Sequence, residues 1–224
     1  PRGRLRLACG GGWFPCGRVG GAYGKFPALV EARCPGIESV NMGVAGYGLD
    51  QSYLAYVNSG SPLQSDVLLF TFIEDDFRRM AMQAFLTQNP KPQFVLAGDE
   101  LVLRNVPVPT WGAASDTSWF REFPRKTALF QISRAVVEKY LWDYDTWRVV
   151  ERLFVELDQL SKTRGQQFVL VYLPSRVDFK TQRPTDASVA VQQIANRHQI
   201  PLWNLSDDFK ELTAAERERL FGSD

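Results

Sequence analysis

The chain has 224 residues, of which 45% are hydrophobic and 23% are charged, and its formal net charge at pH 7 is +1. These values are typical of a globular domain, and the balanced charge gives no electrostatic reason to expect a nucleic-acid partner. No apolar run is long enough to be a transmembrane segment. One histidine and three irregularly spaced cysteines make neither a zinc site nor a disulfide framework, so we expect no metal and no cofactor.

Short apolar runs alternate with segments of helical spacing along the first part of the chain. The run Val67-Leu68-Leu69-Phe70 is apolar throughout, which is typical of a parallel strand buried on both faces. Periodicity predicts strands over residues 4–9, 37–42 and 66–73, and helices over residues 26–34 and 49–58.

Residues 86–123 differ in pattern from the segments on either side, because they show no helical period. Residues 93–96 and 100–103 are strand-like and flank the turn Gly98-Asp99, which predicts a hairpin. We predict that residues 86–123 form a hairpin and lid inserted into a single domain that spans residues 1–224. Aromatic side chains in this lid either shape a pocket or simply pack; they are Trp111, Trp119, Phe120 and Phe123.

Helical spacing returns after residue 123, and two further apolar runs follow. We predict helices over residues 124–142, 144–164, 187–198 and 212–220, and strands over residues 167–173 and 200–205. Gly165 is suited to end the second of these helices. The alternation predicts an α/β domain of the three-layer α/β/α type, with a mostly parallel, flavodoxin-like sheet. Ligands of such sheets bind at the carboxyl ends of the strands.

Residues 41–46, Asn-Met-Gly-Val-Ala-Gly, lie between the second predicted strand and a helix. Glycines at such a place let the backbone turn tightly and approach a ligand closely. The run resembles the N-x-G-x-x-G block of the SGNH (GDSL-like) hydrolases, and its extension to Gln51 resembles bacterial members of that superfamily. The resemblance implies an SGNH hydrolase-like fold in which the Gly43 backbone N–H stabilises an oxyanion. A plain glycine-rich turn is the alternative.

The next block of that superfamily carries an Asn-Asp pair after the third strand. Here the chain reads Glu74-Asp75-Asp76, and the resemblance places Asp75 at the asparagine of the oxyanion hole. An asparagine side chain donates an N–H, whereas an aspartate must be protonated to donate. Two alternatives stay open. In one, the three acids simply begin a helix, where the helix dipole favours them; in the other, they bind a metal ion.

The first block, which holds the serine nucleophile in the superfamily, is degenerate here. Laying the chain on the superfamily's glycine and phenylalanine spacing puts the nucleophile position at Trp13, and a shift of one residue puts it at Gly12. Neither residue can attack a carbonyl carbon. The thiols of Cys9 and Cys16 are out of register, and a small buried residue is the alternative interpretation of each.

The resemblance also implies an acid and a histidine near the C-terminus. Asp224 fits the position of the acid, and the histidine would follow it, so the sequence predicts a domain truncated at its C-terminal end. An ordinary solvated residue is the alternative for Asp224. The only histidine, His198, ends a predicted helix, where a structural role with the helix dipole is expected.

The function implied by the resemblance is acyl transfer from an ester to water. A serine would attack the carbonyl, and a histidine oriented by Asp224 would act as general base. The expected partner is a small-molecule, carbohydrate or lipid ester, including O-acetyl esters. Because the nucleophile and the histidine are missing as written, a non-catalytic binding or scaffold relative on the same fold is the alternative. A third hypothesis is a different enzyme that binds a metal ion through Glu74, Asp75 and Asp76.

Overall fold

The computed structural model describes residues 3–12, 26–81, 84–85, 89–108, 144–174, 184–213 and 216. Nine strands lie in these ranges: β1 Leu5–Gly11, β2 Ile37–Asn41, β3 Val67–Phe72, β4 Ala84–Phe85, β5 Asn89–Pro90, β6 Gln93–Ala97, β7 Glu100–Arg104, β8 Gln167–Tyr172 and β9 Leu202–Asn204. The α-helices of the described ranges are α1 Phe26–Arg33, α2 Leu49–Ala55, α3 Glu74–Ala81, α4 Tyr144–Thr163, α5 Asp186–His198 and α6 Leu205–Lys210.

Five strands form one sheet in the order β2-β1-β3-β8-β9, and every pairing in it is parallel. Crossovers between parallel strands are right-handed. In the sheet, β2 lies on one side of β1, and β3, β8 and β9 follow in turn on the other side. The crossover from β1 to β2 therefore runs in the opposite direction to the later ones, so α1 covers the face opposite α2, α4 and α5. This is the predicted three-layer α/β/α fold, and its strand order reverses at β1.

The main core lies where the central strands meet α4. Phe70 and Phe72 of β3 are buried, and the rings of Phe72 and Phe154 are 5.3 Å apart. The buried residues of α4 recur at helical spacing, which turns one apolar stripe of this helix towards the sheet. The fully buried apolar residues of this stripe are Val150, Leu153, Phe154 and Leu157.

The predicted hairpin is confirmed as the antiparallel pair β6 and β7. Gly98 takes a φ of 67° in its turn, a backbone conformation that favours glycine. The hairpin packs on the domain through the rings of Phe94 and Tyr53, whose centroids are 5.4 Å apart. Residues 86–88 and 109–123, with the four aromatic residues of the predicted lid, lie outside the described residues, as does the whole of the predicted helix 124–142.

Three predictions of element boundaries were wrong. The helix predicted over 49–58 stops at Ala55 and continues as a π-helical turn, Tyr56–Gly60, and a 3-10 turn, Ser61–Leu63. The strand predicted over 200–205 is only β9, because α6 begins at Leu205. The helix predicted over 212–220 does not include residues 212–213, whereas Glu216 is helical; the rest of that range lies outside the described residues.

Helix α6 was missed, although its start carries a local signal. The Asn204 side chain accepts a hydrogen bond from the Ser206 backbone N–H at 3.1 Å, and two acids follow in the first turn. Asparagine at the N-cap followed by acids is a common helix start. Within the described ranges, no helix combines the length and the apolarity needed to cross a bilayer.

Candidate functional site

The carboxyl edge of the sheet gathers the segments that the sequence singled out. Strands β1, β2 and β3 are adjacent and parallel, so the residues that follow them meet at one edge. The Val44 backbone N–H donates to the Gly11 carbonyl oxygen at 3.2 Å, which joins residues 42–48, here called the glycine loop, to the end of β1. Because the strand order reverses at β1, this edge is also the place where open α/β sheets bind ligands.

Glycines are required at the end of β1 by close packing. Gly11 has a φ of 134°, and a Cβ atom there would overlap the Thr71 carbonyl oxygen. At Gly12 a Cβ atom would lie 2.6 Å from Asp76 Oδ1. Gly12 is one of the two predicted positions of the missing nucleophile. It faces the Asp76 carboxyl group directly and has no room for a side chain unless Asp76 moves.

Asp76 is the buried acid of this edge. Its Oδ2 accepts the Ile73 backbone N–H at 3.1 Å, and its Oδ1 accepts from Arg79 at 2.6 Å. Burial raises the pKa of Asp76 to about 7, against the opposing effects of the Ile73 N–H and the Arg79 guanidinium. This carboxyl group therefore titrates near neutral pH while it contacts Gly12.

Asp75, the acid predicted for the oxyanion hole, is placed differently. Its side chain is 55% exposed and lies 3.6 Å from Arg78 and 3.8 Å from Arg79. Together with Glu74 it forms the first turn of α3, as the helix-start interpretation expected. Within the described part of the chain, no group of three His, Cys, Asp or Glu residues is placed to hold a metal ion.

The difference between the two acids follows from the helical period. Buried positions of α3 are Asp76, Phe77 and Met80, and residues four apart on a helix share a face. Asp76 therefore lies on the face of Met80, whereas Asp75 lies beside Arg78, three residues on, whose side chain is 54% exposed. This signal was present in the sequence, and it would have singled out Asp76.

The backbone N–H of Gly43 is already hydrogen bonded. It donates to Asn41 Oδ1 at 2.9 Å, in a turn closed by the asparagine side chain. An oxyanion bound at this N–H would have to displace the Asn41 amide oxygen or share the hydrogen with it.

The end of the glycine loop is anchored by a buried ion pair. Asp50 Oδ2 lies 2.5 Å from Lys91 Nζ, and their side chains are 0% and 3% exposed. Lys91 also donates to the Met80 carbonyl oxygen at 3.3 Å. Desolvation raises the pKa of Asp50, and the Lys91 charge opposes that shift. The pair ties α2, the end of α3 and the root of the hairpin together, so this part of the motif holds the loop in place.

A cleft of 630 Å³ opens beside the glycine loop. One wall is the loop itself with the end of β2, and the other is α2 with the helical turns that follow it. Side chains with hydrogen-bonding groups line both walls: Asn41, Tyr47, Gln51, Asn58 and Ser59. We call this the loop cleft.

Other candidate residues lie away from this edge or outside the described ranges. Cys9 is fully buried within β1, and burial raises its pKa to about 12, which makes it an inert thiol. His198 ends α5 just before β9, so it lies at the opposite edge of the sheet, where Nε2 is 2.5 Å from Glu151 Oε1. Trp13, Cys16 and Asp224 are outside the described residues.

Comparison with known proteins finds similar folds at low sequence identity. No family model matches the sequence, and no curated protein matches it. A catalytic mutant of an acetylxylan esterase from Geobacillus stearothermophilus is 16% identical over 95% of this chain and 83% of its own, with a TM-score of 0.48. A lipase/acylhydrolase from Enterococcus faecalis is 12% identical over 95% of this chain and 82% of its own, with a TM-score of 0.45.

A GDSL-like lipase from Bacteroides thetaiotaomicron is 11% identical over 89% of this chain and 67% of its own, with a TM-score of 0.44. At these identities the likeness is one of fold alone.

Proposed function

We propose that the chain is an SGNH-like ester hydrolase that transfers the acyl group of a small-molecule or carbohydrate ester to water. The observation that carries this proposal is the position of the glycine loop. It stands at the carboxyl edge of a parallel sheet, joined to the end of β1 where the strand order reverses. Ester chemistry needs backbone donors beside the carbonyl under attack, and the Gly43 N–H is the donor assigned here.

Asp76 has a supporting role in this proposal. Its carboxyl group contacts Gly12 and is held by Ile73 and Arg79, so it positions the end of β1 against α3. Because its pKa is about 7, its charge changes over the pH range in which esterases are assayed. The pH profile of turnover should therefore reflect this group.

A second candidate, a binding relative without turnover, is favoured by the packing at position 12. The side chains at positions 12 and 13 are those of glycine and tryptophan, neither of which is a nucleophile. A serine side chain at position 12 would also collide with Asp76. Hydrolysis therefore needs a nucleophile from another part of the chain.

Hydrolysis of 4-nitrophenyl acetate between pH 5 and pH 9 separates the two candidates. An ester hydrolase releases nitrophenol faster than the heat-unfolded chain does, and a fluorophosphonate label followed by peptide mapping identifies its serine. In that case Asp76→Asn should remove the titration near pH 7 from the profile. The variant of the exposed neighbour, Asp75→Asn, should keep that titration and move it to lower pH, because the Asp75 charge helps to raise the pKa of Asp76. No turnover and no label would refute hydrolysis and leave the binding relative.

A further inference from the structure

We infer that the open edge of β7 pairs with the same edge of a second copy of this chain, which gives a symmetric dimer with a four-stranded sheet made of two hairpins. The inference goes beyond the proposed function and does not depend on it. Among the described strands only β6 pairs with β7, and β6 is the strand that packs against α2, α3 and α4. Strand β7 is therefore the outer strand of the hairpin, and an outer edge is a template for pairing with another chain.

The sequence of β7 is complementary to itself when two copies run antiparallel. The strand reads Glu100-Leu101-Val102-Leu103-Arg104, with Val102 at its centre. If two copies cross at Val102, Glu100 of each copy lies opposite Arg104 of the other, and Leu101 likewise lies opposite Leu103. Apolar pairs and pairs of opposite charge directly across two strands stabilise a sheet. A two-fold axis through the centre repeats each contact, as in most homodimers.

The charged ends of β7 are available to a partner. Within the described part of the chain, neither Glu100 nor Arg104 forms an ion pair, and both residues are exposed. By contrast, the acid of the hairpin turn, Asp99, lies 2.6 Å from Arg148 of α4. The tip of the hairpin is thus anchored to the domain by its own charge pair, while the two charges of β7 are left for a second chain.

The hydrogen-bonding pattern of the hairpin fits the same register. The turn has two residues, 98–99, and the residues that flank it are paired. In such a hairpin the flanking pair exchanges backbone hydrogen bonds, and hydrogen-bonded pairs then alternate along the ladder. The N–H and C=O groups of Leu101 and Leu103 therefore face the open edge. A strand that crosses at Val102 meets these groups, so the two copies exchange backbone hydrogen bonds at both leucine positions.

Exposed apolar side chains are concentrated along this edge. Val102, Leu103, Val106 and Val108 are each at least 36% exposed, and such a patch on a surface marks an interaction site. The Leu103 side chain shares a face of the hairpin with Phe94, which packs towards the core. Because Leu103 is nevertheless exposed, the domain surface ends short of the outer edge of β7 and leaves that edge open to a second strand.

Strand β7 lacks the features that commonly keep strand edges from pairing. Its register with β6 runs over five pairs without a bulge, and it contains neither lysine nor proline, the usual protections of an edge. A five-residue edge buries less than the roughly 1,200 Å² of a standard interface. We therefore expect a weak dimer that dissociates on dilution.

Sedimentation velocity of the whole chain tests the inference at low ionic strength, where exposed charges are least screened, from about 1 µM to about 1 mM. We expect a shift from monomer to dimer as the concentration rises. Glu100→Arg sets like charges against each other at both ends of the paired strands and should weaken dimerisation about tenfold or more, and Arg104→Glu should do the same. An equimolar mixture of these two variants should recover the association, because each charge then meets its opposite.

A second pair of variants tests the centre of the contact. Val102→Lys places two positive charges at the two-fold axis and should abolish the dimer. The matched control is Val189→Lys on α5, since Val189 is 43% exposed and Val102 38%, and this control should associate as the parent chain does. Thermal unfolding of the dilute variants shows that each remains folded.

Four results would overturn the inference: a monomer at every concentration, single charge variants that dimerise as the parent does, a mixture that associates no better than its components, or equal effects of the two valine substitutions. Recovery in the mixture cannot arise from damaged folding, so it separates strand pairing from a general loss of structure. The aryl acetate assay has no bearing on these outcomes, and failure of the dimer would leave the proposed function intact.

Discussion

Replacing Asp76 by asparagine removes a charge from the buried carboxyl position against Gly12 and leaves its shape nearly unchanged. The wild-type side chain is 3% exposed, and burial raises its pKa from 3.8 to about 7. Between these two pH values the folded chain holds a proton on Asp76 that the unfolded chain has already released. The stabilisation is therefore complete below about pH 4 and is lost as the pH rises through about 7.

The size of the effect follows from the width of that window. Each pKa unit corresponds to about 1.4 kcal/mol, so the whole shift is worth about 4 kcal/mol of unfolding free energy. Roughly two units of the window lie between pH 5 and pH 7, so Asp76 should lower the stability of the wild-type chain by about 3 kcal/mol between pH 5 and pH 8. The amide of Asp76→Asn does not titrate, and this part of the decline should vanish.

Urea denaturation at pH 5 and pH 8, followed by tryptophan fluorescence, measures the difference. Asp75→Asn is the matched control, because it changes the adjacent acid, whose side chain is 55% exposed. We expect that control to keep most of the wild-type decline, because burial is the largest cause of the raised pKa of Asp76 and the Asp75 charge a lesser one, while Asp76→Asn loses most of it. If Asp76→Asn declined with pH as steeply as the wild type, the burial argument for this carboxyl group would be wrong.

Two further substitutions test the packing that holds the edge of the sheet. Gly11→Ala should destabilise the chain by about 3 kcal/mol or more in urea denaturation, because Gly11 has a positive φ and a Cβ atom there would overlap Thr71. The control is Gly36→Ala, which should change stability little because the space around Gly36 is open. Lys91→Met should cost about 3–5 kcal/mol, because it strands the buried Asp50 charge. Adding Asp50→Asn to Lys91→Met should recover part of that loss. If the double variant were less stable than Lys91→Met alone, the explanation by a stranded Asp50 charge would be wrong.

Local pattern determined much of the fold, because it reports burial and backbone geometry directly. The apolar run 67–70 marked β3, and Gly165, with a φ of 64°, marked the end of α4. The run 41–48 was recognised as a loop between a strand and a helix, and the acids at 74–76 as the start of a helix. Each of these features depends on residues within about one helical turn of each other.

Tertiary structure alone decided which of these residues make a site. Asp50 and Lys91 are 41 positions apart, and neither segment carries a sequence pattern that predicts their pairing. The helical period separates Asp76 from Asp75 already in the sequence, but only the packing of α3 against the sheet brings the Asp76 carboxyl group against the end of β1. Gly12 faces Asp76 only because β1 and β3 lie side by side. Long-range contacts set burial, and burial sets the chemistry of a carboxyl group, so the environment of this edge follows from the folded chain and not from its motifs.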